Sequence, residues 1–246
     1  MSISGKNILI TGATKGMGKA VAIELAKAGA NLVLHYNGGK DSVEKMQLEL
    51  KPYKGNFYFI QADFSSSLGE IENLYKKTIE SLGSLDILIN NAGVGYLTPI
   101  DKITEHDFDL HFNVNVKAVF FLCKQAILTM NSGGNIINYS GGLVKVLRSG
   151  VSCYSATKGA VEQITRGLAF EAAERNITIN AIAPGAIETE MTHTAMSEQE
   201  IKDLCAHTAF GRLGKPEDIA RAIKTMLSDD FRWTTGQIIH VNGGWV

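Results

Sequence analysis

"NILITGATKGMGKAVAIELAKAG", residues 7–29, decides the fold. A five-residue apolar run, NILIT (7–11), passes directly into a glycine-bearing turn and then into a segment whose apolar residues recur at helical spacing. Gly12 permits the tight turn, Gly16 lets backbone approach a phosphate, Gly18 allows close packing of helix on strand, and the helix N-terminus attracts a pyrophosphate. The spacing G-x-x-x-G-x-G differs from the commoner G-x-G-x-x-G. Its place between an apolar strand and an amphipathic helix nevertheless predicts dinucleotide binding. Thr14, Lys15 and Met17 lie in the same turn and are expected contacts.

Outward from this unit, short apolar runs alternate with helix-period segments. The strands read as 7–11, 31–36, 56–61, 85–90, 135–140, 177–183 and 237–242, and between them VAIELAKAG, IENLYKKTIE, FNVNVKAVFFLCKQAI, GAVEQITRGLAFEAAE and EDIARAIKTML have helical periodicity. Such alternation is the pattern of repeated βαβ units in a parallel sheet, an α/β fold. No repeat, linker or low-complexity run interrupts it, so residues 1–246 are expected to form a single domain. From Pro184 to Lys215 the chain is polar and weakly patterned, and 186–215 is expected to act as a lid over a site.

Net charge is −1 and hydrophobic residues make up 45% of the 246, which suits a sizeable core and gives no basic stripe for nucleic acid. Cys123, Cys153 and Cys205 have no paired spacing, which predicts a reducing compartment and no metal site. MSISGKNILI lacks the features of a secretory leader, and no run approaches the roughly 20 apolar residues of a membrane span. A cytoplasmic protein that acts on small ligands is expected.

A cofactor without a 2′-phosphate usually meets an acidic side chain at the end of the second strand. Here that end reads Leu34-His35-Tyr36-Asn37-Gly38, with no carboxylate, and Lys15 supplies a cation nearby. This combination predicts NADPH/NADP+ over NADH, with Tyr36 and Asn37 at the adenosine end.

Tyr154 and Lys158 stand four residues apart on an expected helix, so both share a face and the ammonium can favour the phenolate. With the glycine turn, NNAG (90–93), Tyr154-x-x-x-Lys158, PG (184–185) and TTGQIIHVNGG (234–244), the whole chain resembles the short-chain dehydrogenases/reductases. It looks most like the branch of 3-oxoacyl-(acyl-carrier-protein) reductases and glucose dehydrogenases. The resemblance implies a single Rossmann-type domain, a doubly wound seven-stranded parallel sheet with helices on both faces, assembled as a homotetramer.

It also implies Tyr154 as general acid, Lys158 as the cation that lowers the tyrosine pKa and binds the nicotinamide ribose, and Asn115 as holder of a proton-relay water. Asp63 and Phe64 would flank adenine, and Asn91, Ala92 and Gly93 would line the adenosine ribose. Pro184 and Gly185, with Ile187 and Thr189, would meet the nicotinamide. Asn113 is the alternative to Asn115, and Asp63 has an alternative role as a helix N-cap.

The family's serine usually lies about thirteen residues before the tyrosine. That position is Gly141; Ser140 comes one residue early. On a regular strand a shift of one residue turns a side chain to the opposite face, so Ser140 is expected to point away unless a bulge intervenes. Two readings stay open: an enzyme in which Ser140 or Ser152 supplies the hydroxyl, or a weakly active subunit that binds cofactor and supports a homologous active partner in a hetero-oligomer. The resemblance implies a small-molecule or carrier-bound carbonyl substrate. Met130 to Asn135 lacks the basic residues that would dock an acidic carrier, which leaves Arg175 as a carrier contact and Arg148 as a contact for an anionic substrate.

Overall fold

The computed structural model describes residues 3–146 and 148–245. β1 (Asn7–Ile10), α1 (Gly16–Lys27), β2 (Asn31–Tyr36), α2 (Lys40–Leu50), β3 (Phe57–Gln61), α3 (Leu68–Leu82) and β4 (Ile87–Asn90) form the first half. After them come α4 (Glu105–Phe112), α5 (Ala118–Thr129), β5 (Asn135–Tyr139), α6 (Ser152–Gly167), α7 (Ala169–Ala173), β6 (Thr178–Pro184), α8 (Glu190–Ala195), α9 (Glu198–Ala206), α10 (Pro216–Met226) and β7 (Ile238–Val241). All strands pair in parallel in the order β3-β2-β1-β4-β5-β6-β7. The order reverses between β1 and β4, and ligands of such sheets bind beyond the carboxyl ends of the strands at that point.

Helices cover both faces because the strands are apolar on both. Ile8 and Ile10 pack with Val21 and Leu25 of α1 and Ile219 and Ile223 of α10 on one side, while Leu9 joins Ile71, Leu122 and Val161 on the other. Pro216 begins α10 at the first helical position, where its missing N–H costs nothing. Among the described residues no helix is long and apolar enough to cross a membrane.

Three elements depart from the sequence reading. α2 was not read from its sequence: only Val43, Met46 and Leu50 of its eleven residues are buried, so its apolar stripe is narrow. The segment FNVNVKAVFFLCKQAI is not one α-helix, since a π-turn at Asn113–Lys117 separates α4 from α5. The polar stretch after Pro184 carries the two short helices α8 and α9.

Candidate active site

The glycine turn is shaped by its own backbone and pinned by two neighbours. Gly12 and Gly16 have φ of +63° and +51°, a region that favours glycine. Asn91 Nδ2 donates to the carbonyls of Thr11 and Gly12 at 2.9 and 3.0 Å, and Thr11 Oγ1 accepts from the N–H groups of Asn91 and Ala92. The Asn91 amide thereby ties β4 to the turn. From the other side, Gly12 N donates to His35 Nδ1 at 3.1 Å, and His35 Nε2 lies 3.0 Å from the Ala62 carbonyl. Both contacts require a neutral ring with its proton on Nε2.

Burial holds the His35 pKa down at about 4. The unfolded chain takes up this proton near pH 6.5 and the folded chain only near 4, so the neutral ring's contribution is complete above 6.5 and is lost as pH falls toward 4. We expect stability to denaturant to drop by about 3 kcal/mol across that window, and the drop to shrink in His35→Gln. Denaturation midpoints at a series of pH values provide the check.

The turn fits a dinucleotide. Lys15 is the N-cap of α1 and makes no side-chain cap hydrogen bond, so the first-turn N–H groups face outward for a phosphate. Thr14 is buried within the turn, Met17 packs partly on the core, and Thr189 Cγ2 would stand 3.7 Å from a Cβ at Gly16, which places the start of α8 over the turn. The Lys15 stem passes Gly39, just beyond exposed Asn37. Tyr36 ends β2, and the Asn37 carbonyl accepts from Gln61 Nε2 at 2.7 Å.

Two residues expected at adenine have side-chain partners within the protein. The Phe64 ring is buried and stacks on His35 with centroids 4.3 Å apart, behind the turn rather than beside it. Asp63 Oδ1 accepts from Ser65 N and Ser65 Oγ, so the carboxylate shapes its own loop and does not cap α3, whose N-cap is Ser67.

On the opposite wall, α6 brings Tyr154 and Lys158 to the carboxyl end of β5. Lys158 is 5% exposed, and its Nζ donates to the Tyr139 carbonyl at 2.9 Å and lies 5.7 Å from the Tyr154 ring centroid. Burial pushes Lys158 down to about 8 and Tyr154 up to about 12. Loss of solvent around the phenolate is the cause of the tyrosine's rise, which runs opposite to the lowering expected from the Lys158 ammonium.

Asn115 is fully buried: Oδ1 accepts from Val94 N at 2.8 Å, and Nδ2 donates to the Val94 carbonyl and to Thr157 Oγ1. It sits in the π-turn, where Ala118 N donates five residues back to Asn113 O, a distortion found mostly at functional sites. Asn115, and not Asn113, is the one joined to α6. A Cβ on Gly93 would meet Asn115 Oδ1 at 3.2 Å and Lys158 Nζ at 3.5 Å, and one on Gly95 would meet the Tyr154 ring at 3.1 Å. The two glycines thus let this segment lie directly against Asn115, Lys158 and the Tyr154 ring.

Ser140 does not reach the site. Its N–H still donates to Ile182 O at 2.8 Å, so the strand stays regular through this residue with no bulge. Its side chain, 3% exposed, turns to the other face and donates to Glu162 Oε1 at 2.9 Å. The position facing the tyrosine is Gly141, where a Cβ would stand 3.1 Å from Tyr154 Oη.

Ile187, past the end of β6, is buried and its carbonyl accepts from Thr192 Oγ1, while Thr189 caps α8 through Thr192 N. Gly185 lies against Asn242, and Pro184 closes β6. Arg175 is not a surface contact: Nη1 and Nη2 donate to the Ile127 and Met130 carbonyls at 2.6 and 2.7 Å and close the end of α5. Arg148 pairs with Glu200 of α9 at 3.4 Å.

The family model described as enoyl-(acyl carrier protein) reductase matches residues 12–246. A hydroxynaphthalene reductase-like protein of Metarhizium guizhouense is 35% identical over 260 residues, covering 100% of this chain and 96% of that one. The chain belongs to the short-chain dehydrogenase/reductase family. To 3-oxoacyl-(acyl-carrier-protein) reductase FabG of Staphylococcus aureus this short-chain dehydrogenase/reductase is 35% identical over 241 residues, 97% of each. Among solved structures, the angucycline C-6 ketoreductase LanV with bound NADP superposes with a TM-score of 0.91 at 33% identity, covering 99% of this chain and 96% of LanV.

Proposed function

We propose that this short-chain dehydrogenase/reductase reduces a ketone to a secondary alcohol with NADPH. The observation that carries the reading is one wall, built of Tyr154, Lys158 and Asn115, that faces a glycine turn across the carboxyl ends of a parallel sheet. NADPH, when bound, supplies a hydride. Tyr154 donates its hydroxyl proton to the carbonyl oxygen, Lys158 holds positive charge near that oxygen and the ribose, and Asn115 fixes the Val94 backbone beside them. Tyr154 carries its proton at neutral pH, and the Lys158 ammonium favours the phenolate left behind as that proton moves.

Of substrates, a free ketone is favoured over a carrier-bound 3-oxoacyl group, because Arg175 is turned inward and the Met130–Asn135 stretch has no cation. A homotetramer is the expected assembly. One observation favours a second reading, a cofactor-binding subunit that supports an active homologue: glycine stands at 141 where the family has serine.

NADPH consumption by the isolated chain with a panel of ketones separates the two readings; binding without turnover would leave only the second. KM for NADPH is expected to be roughly tenfold below that for NADH, with Lys15→Ala narrowing the ratio. A preference for NADH overturns that assignment. The pH profile gives a further check. Lys158 is charged below about pH 8, so kcat/KM for reduction is expected to be level near neutrality and to fall as pH rises through about 8, well before Tyr154 ionises.

A further inference from the structure

Ser140 points away from Tyr154, yet its partner belongs to the same helix as the tyrosine. Glu162 is 6% exposed; Oε1 accepts from Ser140 Oγ at 2.9 Å and Oε2 accepts from Arg166 Nη2 at 3.2 Å. Tyr154, Lys158, Glu162 and Arg166 recur every four residues on α6 and form one slowly turning stripe along it. Ser152, two residues before the tyrosine, lies off that stripe.

The end of β5 is laid against the stripe rung by rung. Asn138 and Ser140 both point to α6 because alternate strand residues share a face. Asn138 Nδ2 donates to Thr165 Oγ1 at 3.0 Å, and Ser140 Oγ donates to Glu162. Between them the Tyr139 carbonyl accepts from Lys158 Nζ, and after them a Cβ on Gly141 would stand 3.1 Å from Tyr154 Oη. At Asn138 the strand is paired on both sides, with Asn90 of β4 and Ala181 of β6. The β4 pairing ends there. From Tyr139 onward, β6 and the Ser140–Glu162 rung hold the backbone.

We propose that Ser140 and Glu162 are positioning residues for Lys158: their hydrogen bond fixes the far end of β5 so that the Tyr139 carbonyl meets the ammonium beside Tyr154. The serine that stands one place early thus acts through the lysine rather than on the substrate. Only the expected effect on rate rests on the reduction reading. A carbonyl that accepts from the ammonium favours its charged form, and loss of that contact lets burial lower the lysine further. Around Lys158 stand Tyr154 and, one turn on, Glu162 of α6 with its partner Arg166. β5 presents the Tyr139 carbonyl, and the segment after β4 presents Gly93, wedged between Nζ and the neutral amide of Asn115 in the π-turn.

The test follows Lys158 itself, by carbon-13 NMR of protein labelled at lysine Cε, with the resonance assigned by its loss in Lys158→Met. The pH profile of kcat/KM for ketone reduction is recorded beside it. Ser140→Ala is expected to move the lysine titration from about 8 to roughly one pH unit lower, with the alkaline limb of kcat/KM following, and to lower kcat about 30-fold. Glu162→Leu, which removes the acceptor instead of the donor, is expected to give the same shift. Glu162→Gln keeps an acceptor without the charge and is expected to titrate as the native protein does. Thr165→Val removes the deeper rung and is expected to lower the melting temperature without moving the lysine.

An unmoved lysine in Ser140→Ala, or an equal shift in Thr165→Val or Glu162→Gln, overturns the proposal. No turnover of any ketone by the native protein, with the Ser140→Ala shift present, refutes the reduction reading and keeps the positioning role. Neither turnover nor shift refutes both.

Discussion

Tyr154→Phe is expected to lower kcat for ketone reduction by about 10³-fold while NADPH still binds with near-native affinity. The substitution removes one oxygen and keeps the ring, which packs against Gly95 close enough that a Cβ there would stand 3.1 Å from it. Stability should therefore change little. What disappears is the proton donor, and the hydroxyls of Ser140, Ser155 and Thr157 are already donated elsewhere. The effect belongs in kcat rather than in cofactor binding, since the proton moves only as the carbonyl oxygen gains charge. Stopped-flow loss of NADPH absorbance at saturating ketone, beside a fluorescence titration of NADPH, separates the two quantities. Undiminished turnover would mean that the proton comes from another group and that the Tyr154–Lys158 wall is only structural.

The same residues show what a sequence reveals and what it hides. The seven strands were legible because short apolar runs alternate with helical periodicity, and each lies within about two residues of its expected place. Tyr154 and Lys158 were legible because a four-residue helical spacing fixes a shared face. Even the fate of Ser140 followed from strand parity, given a strand without a bulge.

Long-range contacts were not legible. The π-turn interrupts a stretch with neither glycine nor proline, and the Asn115 amide within it is bonded to Val94, a partner 21 residues away. His35 looks like one residue of an apolar strand until Gly12, 23 residues earlier, is seen to donate to its ring. Trp245 packs on Gly142, about a hundred residues earlier in the chain, with Asn242 bonded to its carbonyl. Asn91 and Phe64 sit in segments that suggested cofactor contact, yet their side chains brace the turn that would make it.

That bracing makes Gly18→Ala the most damaging single methyl group expected in the chain. A Cβ at Gly18 would stand 2.3 Å from the Gly12 carbonyl oxygen and 2.5 Å from Asn91 Nδ2. Neither atom can retreat freely. The Gly12 carbonyl is backbone within a turn whose N–H is held by His35, and the Asn91 amide bonds two carbonyls at once. Relief requires α1 to lift from β1, which would open the packing of Val21 and Leu25 on Ile8 and Ile10.

We expect a stability loss of about 3 kcal/mol, the upper end of what an added core methylene costs. NADPH affinity should fall about 100-fold, because the N–H groups at the head of α1 move from the phosphate position. Gly69→Ala is the matched control: it lies in the first turn of α3, its nearest contact for a Cβ is Ser67 Oγ at an ordinary 3.5 Å, and helix propensity favours alanine there. Calorimetric titration with NADPH and thermal melts of both variants compare the two sites. Native affinity and melting temperature in Gly18→Ala would show that the strand and helix do not need their close approach, and the dinucleotide reading of the turn would lose its structural basis.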